Sequence, residues 1–306
     1  MKWRTARSAP RLLAITEGAR RRPRLGAIAA IAVLVALGVA AVVLAASEDR
    51  TATHLAARRA RPATGRPRGR TSSAERRELA HESRAIDGAL RYTPFITQGL
   101  PHQRMIALSF DDGPSPYTPQ IVRTLVRMKV HATFFVVGQQ LNYFSNALKE
   151  EVRYGFTIGD HTENHAWLIR LNQAGQYAQI RNDAARLEHL GAPLPRLFRP
   201  PYGAYNARTL AILRRLRMLM VMWSIDPGDW RRPGTSAIVA DVLANARPGA
   251  IVILHDGGGD RSQTVAALPA IINGLRRRHY RLVTVPQLLT ADPPPHHQPL
   301  PHLFGV

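Results

Sequence analysis

The chain has no cysteine among its 306 residues. That excludes a disulfide framework and any thiolate metal site, so a bound metal must take histidine and carboxylate ligands. Carboxylates are themselves scarce, 21 against 42 lysines and arginines, which leaves a net charge of +21. A surplus of that size suits nucleic acid, an anionic membrane surface or an anionic extracellular polymer. Aromatic residues make up only 7% of the chain. They do not interleave with the arginines in a recognition stripe, and no nucleic-acid-binding motif is present, so nucleic acid is set aside. No internal repeat is visible. Apolar residues are plentiful at 45%, enough for a sizeable core in one large domain or two ordinary ones.

Residues 25–46 form one unbroken run rich in Ala, Val, Leu and Ile, long enough to cross a hydrocarbon core of about 30 Å as a helix. Seven arginines precede it, opposed only by Glu17. The positive-inside rule then places residues 1–24 in the cytoplasm and everything after Ser47 outside. A cleaved signal peptide, and hence a secreted protein, is the alternative, but its apolar core spans roughly 7–15 residues; a single-pass anchor is the better reading. Residues 47–102 begin with Arg, Ala, Thr, Ser, Pro and Gly, the composition of a self-repelling flexible linker, with a start of globular structure towards its end. The tail, 291–306, is rich in Pro and His and reads as disordered; its His296-His297 pair is a weak metal candidate beside a plain polar tail.

Between these flanks the pattern is globular. Apolar runs at 105–110, 132–137, 218–223 and 251–254 alternate with amphipathic segments at 119–128, 173–190, 207–216, 236–245 and 265–278. Strands and helices alternating at this spacing predict an α/β fold with a parallel sheet or barrel, here over 103–290.

Five short constellations sit at predicted strand ends, where an α/β barrel builds its site. In Ser109-Phe110-Asp111-Asp112-Gly113-Pro114, successive side chains leave the strand in different directions, so one carboxylate can ligate a cation while its neighbour handles a proton. In His161-Thr162-Glu163-Asn164-His165, histidines at i and i+4 can converge on one metal from a helical face or a tight loop. With Asp112 they make a His2Asp set that leaves room for water and substrate. In Arg199-Pro200-Pro201-Tyr202-Gly203 the prolines fix the backbone and leave the Tyr202 amide to face an oxyanion, while Arg199 can hold a carboxylate ionised. Asp226-Pro227-Gly228-Asp229-Trp230 offers in Trp230 a flat wall for a sugar ring. Ile253-Leu254-His255-Asp256-Gly257 places His255, a candidate general acid, after an apolar strand. Taken singly, each is also compatible with an ordinary turn or a satisfied core histidine.

Together, in this order and spacing, the five resemble the polysaccharide deacetylases, the chitin-deacetylase-like carbohydrate esterase family 4. The resemblance covers roughly residues 103–289. It implies a distorted (β/α) barrel, expected with seven strands and preceded by the N-terminal transmembrane helix. It further implies Asp111 as general base, and Asp112, His161 and His165 as ligands of one divalent metal, zinc by default, with Co2+, Mn2+ or Ni2+ as alternatives. Thr162 would shape the histidine loop and Arg199 would orient Asp111. The Tyr202 amide would bind the oxyanion, and Ile253 would receive the acetyl methyl. His255 would be the general acid, with Asp226 adjusting its pKa. The implied partner is an acetylated glycan: peptidoglycan first, chitooligosaccharide second. O-acetyl ester hydrolysis, a non-catalytic wall-binding role and a cyclic-amide hydrolase on the same barrel are the rivals; oligomeric state is unread.

Overall fold

A computed structural model describes residues 73–298. The basic segment 1–24, the apolar run 25–46, the linker up to residue 72 and the last residues of the tail lie outside the described residues. No described helix is long and apolar enough to cross a membrane. In chain order the main elements begin with α1 (Ser73–Leu90), β1 (Phe95–Ile96), β2 (Met105–Asp111), α2 (Thr118–Arg127) and β3 (Thr133–Val136). Then follow α3 (Leu141–Arg153), β4 (Thr157–Asp160), α4 (Gln173–His189), β5 (Leu197–Phe198) and α5 (Ala207–Leu216). The last are β6 (Leu219–Val221), α6 (Thr235–Asn245), β7 (Ala250–His255), α7 (Ser262–Arg277), β8 (Arg281–Val283) and α8 (Val285–Ala291).

The predicted strands and helices are found where their patterns placed them. Seven strands lie side by side in the order β1-β6-β5-β4-β3-β2-β7, and every pair is parallel. An eighth, β8, pairs with the start of β2, one strand beyond the seven expected. The sheet curls until isolated bridges, Gln98 to Ala250 and Ile225 to Val252, bring its two ends together. The result is a distorted half-barrel.

A parallel sheet covered on its outside and filled inside must be apolar on both faces, and β2 is buried along its whole length. The pleat divides its side chains. Ile106, Leu108 and Phe110 pack outward under the helices, while Met105 and Ala107 point inward with Phe135, Leu219, Val221 and Ile251. Ser109 and Asp111 continue the inward row, which delivers the first acidic residue to the mouth of the barrel.

Two expectations at the flanks need correction. The stretch 47–102, read as a linker with globular structure starting towards its end, is structured from further back: α1 begins at Ser73, and its Ile86 and Ala89 join Leu288 and Leu289 of α8 in the inner core. Together they close the end of the barrel where the strands begin. The tail read as disordered packs through residue 298: the Tyr92 hydroxyl donates to Pro294 O (2.8 Å), and Gln298 Oε1 accepts from Thr97 N–H (2.7 Å). His296 is engaged in a ring contact with Tyr92, centroids 4.2 Å apart.

Candidate active site

At the other end of the barrel the strands run out into loops that surround a cavity of about 490 Å³. Of the eleven residues given roles in the sequence, ten gather here, and the eleventh, Thr162, is buried in the histidine loop. Nine line the cavity directly; the tenth, Arg199, lies beneath it.

Asp111 and Asp112 part at the end of β2 because Asp112 takes a left-handed conformation, φ 72°. The Asp111 carboxylate stays inside the barrel, where Arg199 Nη1 donates to its Oδ1 at 2.6 Å. Arg199 is fully buried, and its other donors are also satisfied: Ser109 Oγ at 2.9 Å, Val221 O at 2.9 Å and Met222 O at 3.1 Å. A buried guanidinium held at four points is a fixed countercharge, and Asp111 is oriented by it.

The Asp112 carboxylate turns instead to the histidines. Its Oδ1 lies 3.0 Å from His165 Nε2 and 3.4 Å from His161 Nε2. These three side chains offer ligand atoms within 4.8 Å of one another. Asp112 Oδ1 is buried and accepts no hydrogen bond, as expected of an oxygen whose partner is a cation. Each histidine is gripped by its other nitrogen: His161 Nδ1 is 2.6 Å from Arg199 O, and His165 Nδ1 is 3.1 Å from the Tyr202 hydroxyl. That arrangement fixes ring orientation and leaves Nε2 as the ligating atom. The donor set fits a divalent metal. Burial raises the Asp112 pKa, but the imidazoles of His161 and His165 override it and hold the carboxyl well below its usual range.

The His161–His165 segment is a loop, with Thr162 at φ 70° and His165 at φ 57°. Two buried acids hold it from below: Asp183 Oδ2 accepts from His161 N–H (3.0 Å), and Asp160 Oδ1 accepts from Thr162 N–H (2.9 Å). The five motifs include neither: Asp160 is the last residue of β4, one before His161, and Asp183 lies inside α4. In the turn Pro201–Gly203, Tyr202 adopts φ 60°. The hydrogen bonds of this turn, Gly203 N–H to Pro200 O and Ala204 N–H to Pro201 O, make no use of the Tyr202 amide.

His255 ends β7, and its partner is Asp229, not Asp226. Asp229 Oδ1 lies 2.7 Å from His255 Nδ1, and its Oδ2 accepts the His255 backbone N–H at 2.9 Å. Thr264 Oγ1 donates to the same carboxylate at 2.7 Å. Asp226 instead accepts the Gly228 N–H at 2.8 Å, closing the turn that delivers Asp229. Burial lowers the His255 pKa, but the Asp229 carboxylate outweighs it and the group rises to about 9.

Ile253 and Trp223 supply apolar lining, and Trp230, 41% exposed, stands at the rim. Trp167, unmarked in the sequence reading, faces Tyr202 in a stack with centroids 4.5 Å apart. Gly257 and Gly258, in the run Gly257-Gly258-Gly259, are needed for close approach. A Cβ at Gly257 or Gly258 would collide with Asp112, and Gly258 also sits at φ 72°. Arg261 ties this loop down through Gly257 O (2.6 Å) and Gly258 O (2.8 Å).

A half-barrel with a His2Asp group, a buried Asp–Arg pair and an Asp-paired histidine around one cavity defines a metal-site hydrolase. Comparison with known proteins gives the family. The polysaccharide deacetylase family matches residues 98–221. The chain is similar to a peptidoglycan-N-acetylglucosamine deacetylase of Bacillus cereus, 40% identical over 204 residues that cover 65% of this chain and 95% of the relative. It is also similar to a chitooligosaccharide deacetylase of Bradyrhizobium sp., 39% identical over 60% of this chain and 90% of the relative. A solved peptidoglycan N-acetylglucosamine deacetylase, in complex with an N-oxidanyl-benzamide, superposes with a TM-score of 0.63 at 32% identity, over 65% of this chain and 93% of that one. The chain belongs to the polysaccharide deacetylases, carbohydrate esterase family 4, hydrolases of non-peptide carbon–nitrogen bonds.

Proposed function

We propose that the protein removes N-acetyl groups from an N-acetylglucosamine polymer, with peptidoglycan as first substrate and chitooligosaccharide as second. The observation that carries this reading is the meeting, around one cavity, of three kinds of group: a cation-binding set (Asp112, His161, His165), a base fixed in place by a buried guanidinium (Asp111 on Arg199) and an acid held protonated (His255 on Asp229). A divalent metal on that set, zinc first, supplies Lewis acidity towards water and the acetamide carbonyl.

The remaining chemistry belongs to the chain. Asp111 accepts the proton of the attacking water, its carboxylate aimed by Arg199. The Tyr202 amide donates to the oxyanion, a contact worth on the order of 3 kcal/mol in the transition state. His255 presents Nε2 to the cavity, since Nδ1 is occupied by Asp229. It protonates the departing amine, which cannot leave as an anion. Ile253 receives the acetyl methyl, and Trp230 stacks on the sugar. Acetate and a free amino sugar leave.

Peptidoglycan is placed first because the apolar run 25–46 is read as a single-pass anchor that holds the domain outside the cell membrane, facing envelope polymer. The intact ligand, base and acid positions argue against a non-catalytic wall-binding role. The test is acetate release, with product analysis, from peptidoglycan, chitooligosaccharides and acetylated xylan. New primary amines on the first or second support the reading. Acetate from xylan alone would assign an O-acetyl esterase instead.

A further inference from the structure

Every strand pair in the sheet is parallel, so the connections that enter the strands arrive at the end of the barrel opposite the active site. Those into β2, β3, β5, β6, β7 and β8 carry, in turn, Arg104, Lys129, Arg196, Arg217, Arg247 and Arg278. None of the eight connections, counting those into β1 and β4, contains an aspartate or glutamate. The loops that leave the strands are mixed: six acids, Asp112, Glu163, Asp226, Asp229, Asp256 and Asp260, stand there with five arginines, Arg170, Arg199, Arg231, Arg232 and Arg261. The entering connections are therefore uniformly basic, while the leaving loops come close to balance.

Helix capping explains part of this. A helix C-terminus carries about half a negative charge, and several cations serve carbonyls there: Arg276 Nη2 donates to Met128 O at 2.6 Å, and Arg278 to Leu243 O. Others are neutralised. Asp87 of α1 takes both Arg196 (2.6 Å) and Arg217 (3.0 Å). Burial pushes Glu82, also on α1, up to about 7, so near neutral pH it offsets only part of a charge. A surplus survives both effects. Arg127, Lys129, Arg277 and Arg281 are exposed and form no ion pair among the described residues.

We propose that this basic end rests on an anionic lipid surface, with the active site turned away from it towards the glycan. The first half of α1 starts at this end, since Glu78 and His81 share a hollow with Arg276, Tyr280 and Arg281. Only residues 47–72 separate α1 from the apolar run. Each exposed cation near an anionic leaflet then favours the docked state about fivefold. The proposal rests on reading 25–46 as a membrane anchor, and it is independent of which glycan is the substrate.

The absence of cysteine permits single-site labelling of the full chain. Fluorophores are placed at Arg277→Cys on the basic end and at Tyr143→Cys, 75% exposed at the start of α3 near the other end. Energy transfer to headgroup-labelled lipid is read in phosphatidylcholine vesicles with and without phosphatidylglycerol. With the anionic lipid, transfer at 277 exceeds that at 143. The excess vanishes in about 0.5 M salt, where screening falls to a few Å. It vanishes likewise in the triple variant Arg127→Glu, Lys129→Glu, Arg281→Glu, whose unfolding temperature matches the parent's. Equal transfer at both sites, or an excess that ignores salt and charge reversal, overturns docking. An excess abolished by added anionic wall polymer in preference to lipid reassigns the face to that polymer. Release of the chain by an alkaline carbonate wash overturns the proposal through its anchor alone and leaves the deacetylase reading untouched.

Discussion

Replacing Asp229 by asparagine isolates what the Asp229–His255 pair does. The pair raises the His255 pKa to about 9 from the ordinary 6.5, a difference equivalent to about 3 kcal/mol at 1.36 kcal/mol per unit. His255 is only 12% exposed in its side chain, and the bond to Asp229 is 2.7 Å, so solvent screens the pair little. A cation on the metal site weakens the further contributions of Asp112 and Asp111, which rank below Asp229. The acid is the protonated imidazole, so activity is present below the folded pKa and is lost as pH rises through it. In Asp229→Asn, burial is left without its counterweight and the alkaline limb of kcat/KM moves down to about 6.5 or lower. At pH 7.5 the protonated fraction drops from about 97% to about 9%, roughly a tenfold loss, and the variant recovers much of its rate near pH 5.5. The assay is a pH profile of acetate release by parent and variant at equal metal content. A uniform loss across the pH range, with the alkaline limb unmoved, would refute protonation as the route. The same profile for Asp226→Asn keeps its alkaline limb near that of the parent, because Asp226 caps Gly228 and makes no hydrogen bond to the imidazole.

Arg199→Met leaves the Asp111 carboxylate buried without its countercharge and costs about 3–5 kcal/mol of stability, read as a fall in the urea midpoint; a change below about 1 kcal/mol contradicts the pairing. Gly258→Ala drives a methyl against Asp112 at a left-handed position, and metal affinity falls by about 10–100-fold while far-ultraviolet dichroism is kept. Trp230→Ala raises KM for the glycan and leaves kcat within a few-fold, since the ring stands at the rim of the cavity; a matching loss in kcat would place it in the chemistry.

Much of the site was legible because its residues follow strands. A run such as 105–110 announces a buried parallel strand, and whatever polar group follows it must emerge at one end of the barrel. That logic located Asp111, Asp112, His255 and Arg199. The resemblance named Asp226 as the partner of His255, whereas the bond is made by Asp229, three residues further along the same short loop. The choice is made by Gly228, left-handed at φ 62°, which starts the turn Asp229–Arg231 and carries Asp229 beneath His255. Asp183 and Trp167 were missed for a related reason: each acts through a fold contact, one from the middle of α4 and one by stacking on Tyr202, and local pattern does not encode such contacts. Helix α1 was hidden by its charge. Arg76, Arg77 and Arg84 gave it the composition of the linker, and only a sparse stripe ending at Ile86 and Ala89 reaches the inner core. The tail was misjudged because its anchors are scattered hydrogen bonds at Pro293, Pro294 and Gln298 and one ring contact at His296, with no apolar periodicity behind them.

Metal stoichiometry measured alongside acetate release, in the parent and in Asp112→Asn, tests the central claim most directly. The account predicts one divalent ion per chain, loss of ion and activity together on chelation, recovery of both on adding zinc, and neither in the variant. Acetate release that persists in the chelated parent or in metal-free Asp112→Asn would contradict it.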